Sequence, residues 1–111
     1  MGSVYKVNYF LIKLYELADD PSNNEVVSWT EQGDGIFIKD CDLFVDEIIP
    51  KYFKHGKMSS FIRQLNMYYF KHYKNVGSKG KIYRHPQFVK GRKDLLSEIP
   101  HRMQEIRRKA K

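Results

Sequence analysis

Cysteine is almost missing from this chain. Cys41 is the single one in 111 residues, which excludes an internal disulfide framework and any zinc site built from several cysteines. Long hydrophobic runs are missing as well: no apolar stretch exceeds four residues, as at Tyr9-Phe10-Leu11-Ile12, against the roughly 20 that a membrane-spanning helix needs. Lys6 and Lys13 stand where the apolar segment of a secretory signal would lie. Met1-Gly2-Ser3 reads as an expression scar and is left out of the fold reading. There is no internal repeat, no low-complexity tract and no phosphate-binding glycine loop, since Gly77-Ser78-Lys79-Gly80 lacks the P-loop pattern. A soluble intracellular domain without membrane contact is the expectation.

Catalytic constellations are absent too. Asp19-Asp20 and Asp46-Glu47 are neighbouring acids that point apart, not a catalytic pair. His55, His72, His85 and His101 lack the tight pairing that zinc ligands show, so structural or surface roles are expected. Cys41 reads as a small, partly buried residue at a helix start, with nothing near it in sequence to make it a nucleophile. The expectation is no enzyme, no cofactor and no metal.

Aromatic residues, by contrast, are plentiful: 8 Tyr, 7 Phe and 1 Trp in a chain that is 41% hydrophobic. That excludes a disordered polymer and suffices for one domain with one core. Tyr5, Tyr9, Phe10, Tyr15, Trp29, Phe37, Phe44, Phe53, Phe61 and Phe70 mostly fall on apolar faces and read as core.

Charge is segregated along the chain. Residues 1–50 carry three basic residues against ten acidic ones, net −7, whereas residues 51–111 carry seventeen against three, net +14. If the halves keep their charge on separate faces, one surface is strongly positive. Such a surface more often meets phosphate, nucleic acid or acidic lipid than nothing at all.

Apolar spacing of three and four over Asn8–Ala18 predicts a helix capped by Asn8. Val26-Val27-Ser28-Trp29-Thr30 and Ile36-Phe37-Ile38, with Gly33-Asp34-Gly35 between them, predict an antiparallel hairpin. Asp40 or Asp42 caps a second helix with Leu43, Phe44, Ile48 and Tyr52 inward, kinked or broken near Ile49 by Pro50. A turn at His55-Gly56-Lys57 leads to a third helix opened by Ser59 or Ser60. Its apolar face is Phe61, Leu65 and Tyr68, and its opposite face Ser60, Arg63, Gln64 and Met67. Two further strands follow, Tyr69–Tyr73 and Lys81–Arg84, joined by a basic loop. Leu96, Ile99, Met103 and Ile106 begin a heptad that Pro100 interrupts, so the end of the chain reads as a linker.

Two helices joined by a tight turn and followed by a hairpin is the layout of a winged helix-turn-helix. The fold class is α+β, a three-helix bundle capped by a small four-stranded antiparallel sheet. The domain is expected over 8–99, with 1–7 an N-terminal arm and 100–111 a basic linker or tail. The second helix of such a pair enters the major groove. Here that is 59–69, at the start of the basic half. Spacing alone leaves Arg63 open between a base contact, a solvated helix residue and a partner for an acid.

The run Pro50-Lys51-Tyr52-Phe53-Lys54-His55, followed by Met58-Ser59-Ser60-Phe61-Ile62-Arg63-Gln64-Leu65-Asn66-Met67-Tyr68, resembles the DNA-binding domain of heat shock transcription factors. Phe10–Leu14, Val27-Ser28-Trp29-Thr30 and His85-Pro86-Gln87-Phe88 extend the likeness over about residues 8–99. The resemblance implies a nuclear regulator of transcription by RNA polymerase II whose partner is double-stranded DNA carrying nGAAn repeats. By it Arg63 contacts guanine, with Ser60 and Asn66 as further base contacts, while Lys54, Ser59, Gln64, Tyr68 and Lys71 meet the backbone. Arginine suits the role, because its fork bonds guanine O6 and N7 together.

The family's coiled coil, through which full-length members form trimers, is not in this sequence, and the isolated domain is expected to be monomeric off DNA. Two features depart from the family. Tyr69 stands where glycine is usual, and a tyrosine disfavours positive φ, which implies a different exit from the recognition helix. The loop Asn75–Gly80 is shorter than in most members, which implies weaker contact with neighbouring domains. A protein-interaction domain that has lost DNA binding is the alternative, and a single-strand or RNA binder relying on Tyr69 and Tyr73 is a third.

Overall fold

A computed structural model of the chain describes residues 8–54, 56–74 and 80–104. Helix α1 spans Tyr9–Asp19, and Asn8 caps it by accepting from the Phe10 N–H at 2.8 Å. Its period places Phe10, Leu11, Leu14, Tyr15, Leu17 and Ala18 inward. Tyr9 departs from the expectation of a core aromatic: it is 60% exposed, on the outer face beside Lys13. A 3-10 turn, Pro21–Asn23, follows, with Asp20 as its cap. The buried Asn23 donates to the Leu17 carbonyl and to the Tyr52 hydroxyl, each at 3.0 Å, fastening the end of α1 to the second helical run.

Strands β1 (Val27–Trp29), β2 (Gly35–Ile38), β3 (Lys71–Lys74) and β4 (Lys81–Arg84) form one antiparallel sheet in the order β1-β2-β4-β3. The β1–β2 turn is held by Thr30, whose hydroxyl donates to Asp34 Oδ1 at 2.7 Å and accepts from the Asp34 N–H at 3.1 Å. Gly33 there has φ +71°. Gly35 permits the close β2–β4 approach, since a Cβ would meet the Tyr83 carbonyl oxygen at 2.1 Å. The sheet also mixes the two charge halves, for Arg84 on β4 pairs with Asp34 at 3.3 Å.

The second helical run, α2, occupies 41–52 and starts under an Asp40 cap at Leu43 N–H. Pro50 does not break it. Cys41–Leu43 and Ile49–Tyr52 are α-helical, while Phe44–Ile48 is a π-helical turn in which the Ile49 N–H bonds the Phe44 carbonyl. Proline has no N–H to donate, and the wider i→i+5 turn accommodates its ring without ending the helix. The widening also moves the buried face to Phe44, Ile48 and Ile49, leaving the expected core residue Leu43 39% exposed.

Helix α3 spans Met58–Met67, starting before Ser59 and ending before Tyr69. Neither serine caps it; Lys57 is the N-cap and offers no side-chain bond. The core lies between α1, α2, α3 and the inner face of the sheet. One aromatic group joins Phe10, Phe44, Phe53 and Phe61, with Phe44 and Phe61 4.9 Å apart. A second joins Tyr15, Trp29, Phe70 and Phe88. His55, Tyr5, the greater part of the basic loop and residues 105–111 lie outside the described residues.

Leu96 and Ile99, expected in an interrupted heptad, are buried around a 3-10 turn at Lys93–Glu98. The packing continues past 99. The His101 ring meets Tyr68 edge-on at 4.7 Å, and the Arg102 guanidinium sits 4.7 Å from the centre of the Tyr69 ring. Residues 101 and 102, expected in the linker, therefore rest against the domain.

Candidate nucleic-acid interface

Burial on α3 sorts its residues by function. Phe61 and Leu65 have no exposed surface, and they hold the helix on the core. Ser59, Arg63 and Asn66, spaced i, i+4 and i+7, form an exposed stripe on the other side. Ser60, Gln64 and Met67 form a half-buried stripe beside it. The Arg63 side chain makes no hydrogen bond or ion pair with another described residue, so its guanidinium, with all its N–H donors, is available to a ligand.

The helix-turn-helix places basic groups around that stripe. Lys54 lies in the turn between α2 and α3, and Lys57 at the N-cap of α3; both are exposed. Lys71 and Lys74 stand on the edge strand β3, whose four residues are all exposed. Arg63 and these lysines project from consecutive elements, whereas the acids of α2 (Asp42, Asp46 and Glu47) are exposed on the preceding helix.

Tyr68 does not join this surface. It is 2% exposed, its ring lies parallel to Phe10 at 5.9 Å, and burial pushes its hydroxyl up to about 12. A side chain so enclosed does not reach a phosphate in this conformation. The other sequence-expected residues, Arg63, Ser60, Asn66, Lys54, Ser59, Gln64 and Lys71, are at least partly accessible.

The exit from α3 is the second departure from expectation. Tyr69 takes φ +65°, alone among the described non-glycine residues. The Phe70 N–H bonds the Leu65 carbonyl at 3.0 Å, and the Tyr69 N–H bonds the Asn66 carbonyl at 3.1 Å. Those two bonds make a Schellman motif with tyrosine at the position that favours glycine. The tyrosine therefore adopts the left-handed turn that its side chain disfavours, and the chain goes on from α3 to β3. Sequence reading missed His101 and Arg102 because they lie beyond Pro100, and only their three-dimensional contacts reveal them.

A helix-turn-helix pair with an arginine-bearing exposed stripe, backed by a four-stranded sheet, defines a winged helix domain of the DNA-binding class. The family model for the HSF-type DNA-binding domain matches residues 10–102, and the chain belongs to that family of transcription factor domains, which are not enzymes. Heat shock factor protein 2 of Gallus gallus is 39% identical over 106 residues, covering 88% of this chain and 19% of its own length. Heat shock factor protein 4 of Homo sapiens is 35% identical over 106 residues, covering 88% of this chain and 22% of its own. The chain thus spans about a fifth of these relatives. Among solved structures, Chaetomium thermophilum Skn7 with HSE DNA superposes with a TM-score of 0.79 at 38% identity, covering 85% of this chain and all of that one. A heat shock transcription factor/DNA complex gives a TM-score of 0.64 at 35% identity, covering 72% and 96%.

Proposed function

We propose that this domain inserts α3 into the major groove of double-stranded DNA carrying nGAAn repeats, and that Arg63 reads the guanine of each unit. The observation that carries the reading is the free Arg63 guanidinium at the centre of the Ser59–Arg63–Asn66 stripe, on a helix fixed from behind by Phe61 and Leu65. A bidentate contact to guanine O6 and N7 discriminates against a wrong base by roughly 1–3 kcal/mol. Ser60 and Asn66 approach the neighbouring bases. Lys54, Ser59, Gln64 and Lys71 hold the backbone, setting register and not sequence. DNA complexes among the solved relatives support the same partner.

The protein of which this domain is a part acts in the nucleus on transcription by RNA polymerase II. The domain alone is monomeric off DNA, and several copies engage adjacent repeats. The full-length protein trimerises through a coiled coil. Tyr69, the feature that favoured a DNA-free interaction domain, takes the left-handed conformation that suits glycine, which supports the DNA reading over that alternative.

Fluorescence anisotropy with a labelled duplex of inverted nGAAn repeats tests the reading, with a duplex in which each GAA is scrambled as control. The intact duplex should bind more tightly. If four to six phosphates are neutralised, log K against log salt should fall with a slope of roughly −4 to −5. A flat salt response would refute DNA binding.

A further inference from the structure

The turn that ends α3 is held by a residue poorly suited to it. Tyr69 occupies the left-handed region, where a Cβ crowds the following carbonyl, and glycine would take it freely. The surroundings must therefore fix this conformation. The Arg102 guanidinium is stationed there: it lies 4.7 Å from the Tyr69 ring centre, and its Nη2 reaches the Asn66 carbonyl oxygen at 3.5 Å. That carbonyl belongs to the C-terminal end of α3, where a cation also opposes the negative end of the helix dipole. The seat beneath Arg102 is itself built. His101 packs edge-on against Tyr68, its Nδ1 accepts from the Met103 N–H at 3.1 Å, and its carbonyl accepts from the Gln104 N–H at 3.0 Å.

We propose that Arg102 is a positioning residue for α3: by clasping the Tyr69 ring and the Asn66 carbonyl it locks the left-handed turn, and so fixes the helix that presents Arg63. The proposal rests on the DNA reading above for its functional consequence. It assigns Arg102 no contact with DNA. It also gives the tyrosine a purpose, since a glycine would offer no ring to clasp. The segment leaving the domain is thereby joined to the end of the recognition helix, through Arg102 on Tyr69 and through His101 on Tyr68.

The test uses four forms of the chain: the parent, Arg102→Ala, Tyr69→Gly and the double variant. Each is titrated with the inverted-repeat duplex at several salt concentrations, and amide exchange at residues 69 and 70 is followed without DNA. Arg102→Ala should weaken binding about fivefold, the upper scale of a cation–π contact at an exposed site. The salt slope should stay unchanged, and both amides should exchange faster. In the Tyr69→Gly background the same substitution should cost less than twofold, because glycine needs no clasp.

A loss of equal size in both backgrounds, with the slope falling by about one, would make Arg102 a phosphate contact and overturn the proposal. So would unchanged affinity and unchanged exchange. If the parent bound no duplex, the DNA reading would fall, while the exchange pattern would still decide whether Arg102 holds the turn.

Discussion

The rings of Phe10 and Tyr68 lie 5.9 Å apart and within 4° of parallel, joining the first turn of α1 to the last residues of the recognition helix. Tyr68 therefore supports α3 from within. Tyr68→Phe keeps the stack and removes only the buried hydroxyl, so DNA affinity and its salt slope should both be unchanged. Tyr68→Ala should cost roughly 3–5 kcal/mol of stability, read from urea unfolding, as for other buried aromatics. A shallower salt slope for Tyr68→Phe would show that its hydroxyl reaches phosphate after all.

Phe61 is the pivot of the same packing. It touches Phe44 at 4.9 Å, Phe10 at 5.7 Å and Phe53 at 5.9 Å, and is wholly buried. Phe61→Ala should cost roughly 3–5 kcal/mol, a large share of the 5–15 kcal/mol that holds an ordinary domain together. Thermal melts by circular dichroism should show a much lower and broader transition. A loss below about 1 kcal/mol would mean that α3 is held by something other than this cluster.

At Tyr69 the comparison that isolates backbone strain is between two truncations. Both Tyr69→Ala and Tyr69→Gly remove the ring that Arg102 covers, but only glycine takes φ +65° freely. The glycine variant should be the more stable by roughly 1 kcal/mol in denaturant melts. Equal stabilities would mean that the turn relaxes once the ring is gone.

Much of this was legible in the sequence, for identifiable reasons. The 3.6-residue period over Tyr9–Asp19 and at Phe61, Leu65 and Tyr68 reports which face each helix buries, and the structure buries those faces. The Val27–Ile38 hairpin was legible from β-branched residues flanking a glycine turn. Arg63 was legible only through the long run around it, since a lone exposed arginine has no distinguishing spacing. Pro50 was legible as a kink or break near Ile49, but local chemistry does not say which, and the helix continues through a π turn over Phe44–Ile48. Tyr69 misled: propensity argues against positive φ, and tertiary packing overrides it. Arg102 was silent, since a cation stacked on a ring 33 positions away leaves no local pattern.

His85 provides a pH test. Its ring is buried against Phe70, its Nδ1 accepts from the Gln87 N–H at 3.0 Å, and burial lowers its pKa below the usual value. The unfolded chain takes up this proton near pH 6.5, while the folded one resists until a lower pH. The unfolded state therefore binds more protons in that interval, and stability falls as pH drops through it. The melting temperature should decline between pH 7.5 and 5, and His85→Asn, which keeps an acceptor near the Gln87 N–H, should flatten the decline. The carboxylates Asp20 and Asp94, whose pKa values are lowered by bonds from Ser22 and Arg92, contribute only at more acid pH. An identical pH profile for both proteins would remove His85 from the account.

The most direct test of the central claim is the ratio of affinities for intact and scrambled nGAAn duplexes, measured for the parent chain and for Arg63→Ala. Arg63 is exposed and its side chain makes no hydrogen bond or ion pair with another described residue, so the variant should melt within about 0.5 kcal/mol of the parent. The account predicts a clear preference for the intact repeat in the parent, falling by roughly 1–3 kcal/mol in the variant, while salt-dependent binding to both duplexes persists. A parent that binds both duplexes equally, or a variant that keeps the full preference, would contradict it.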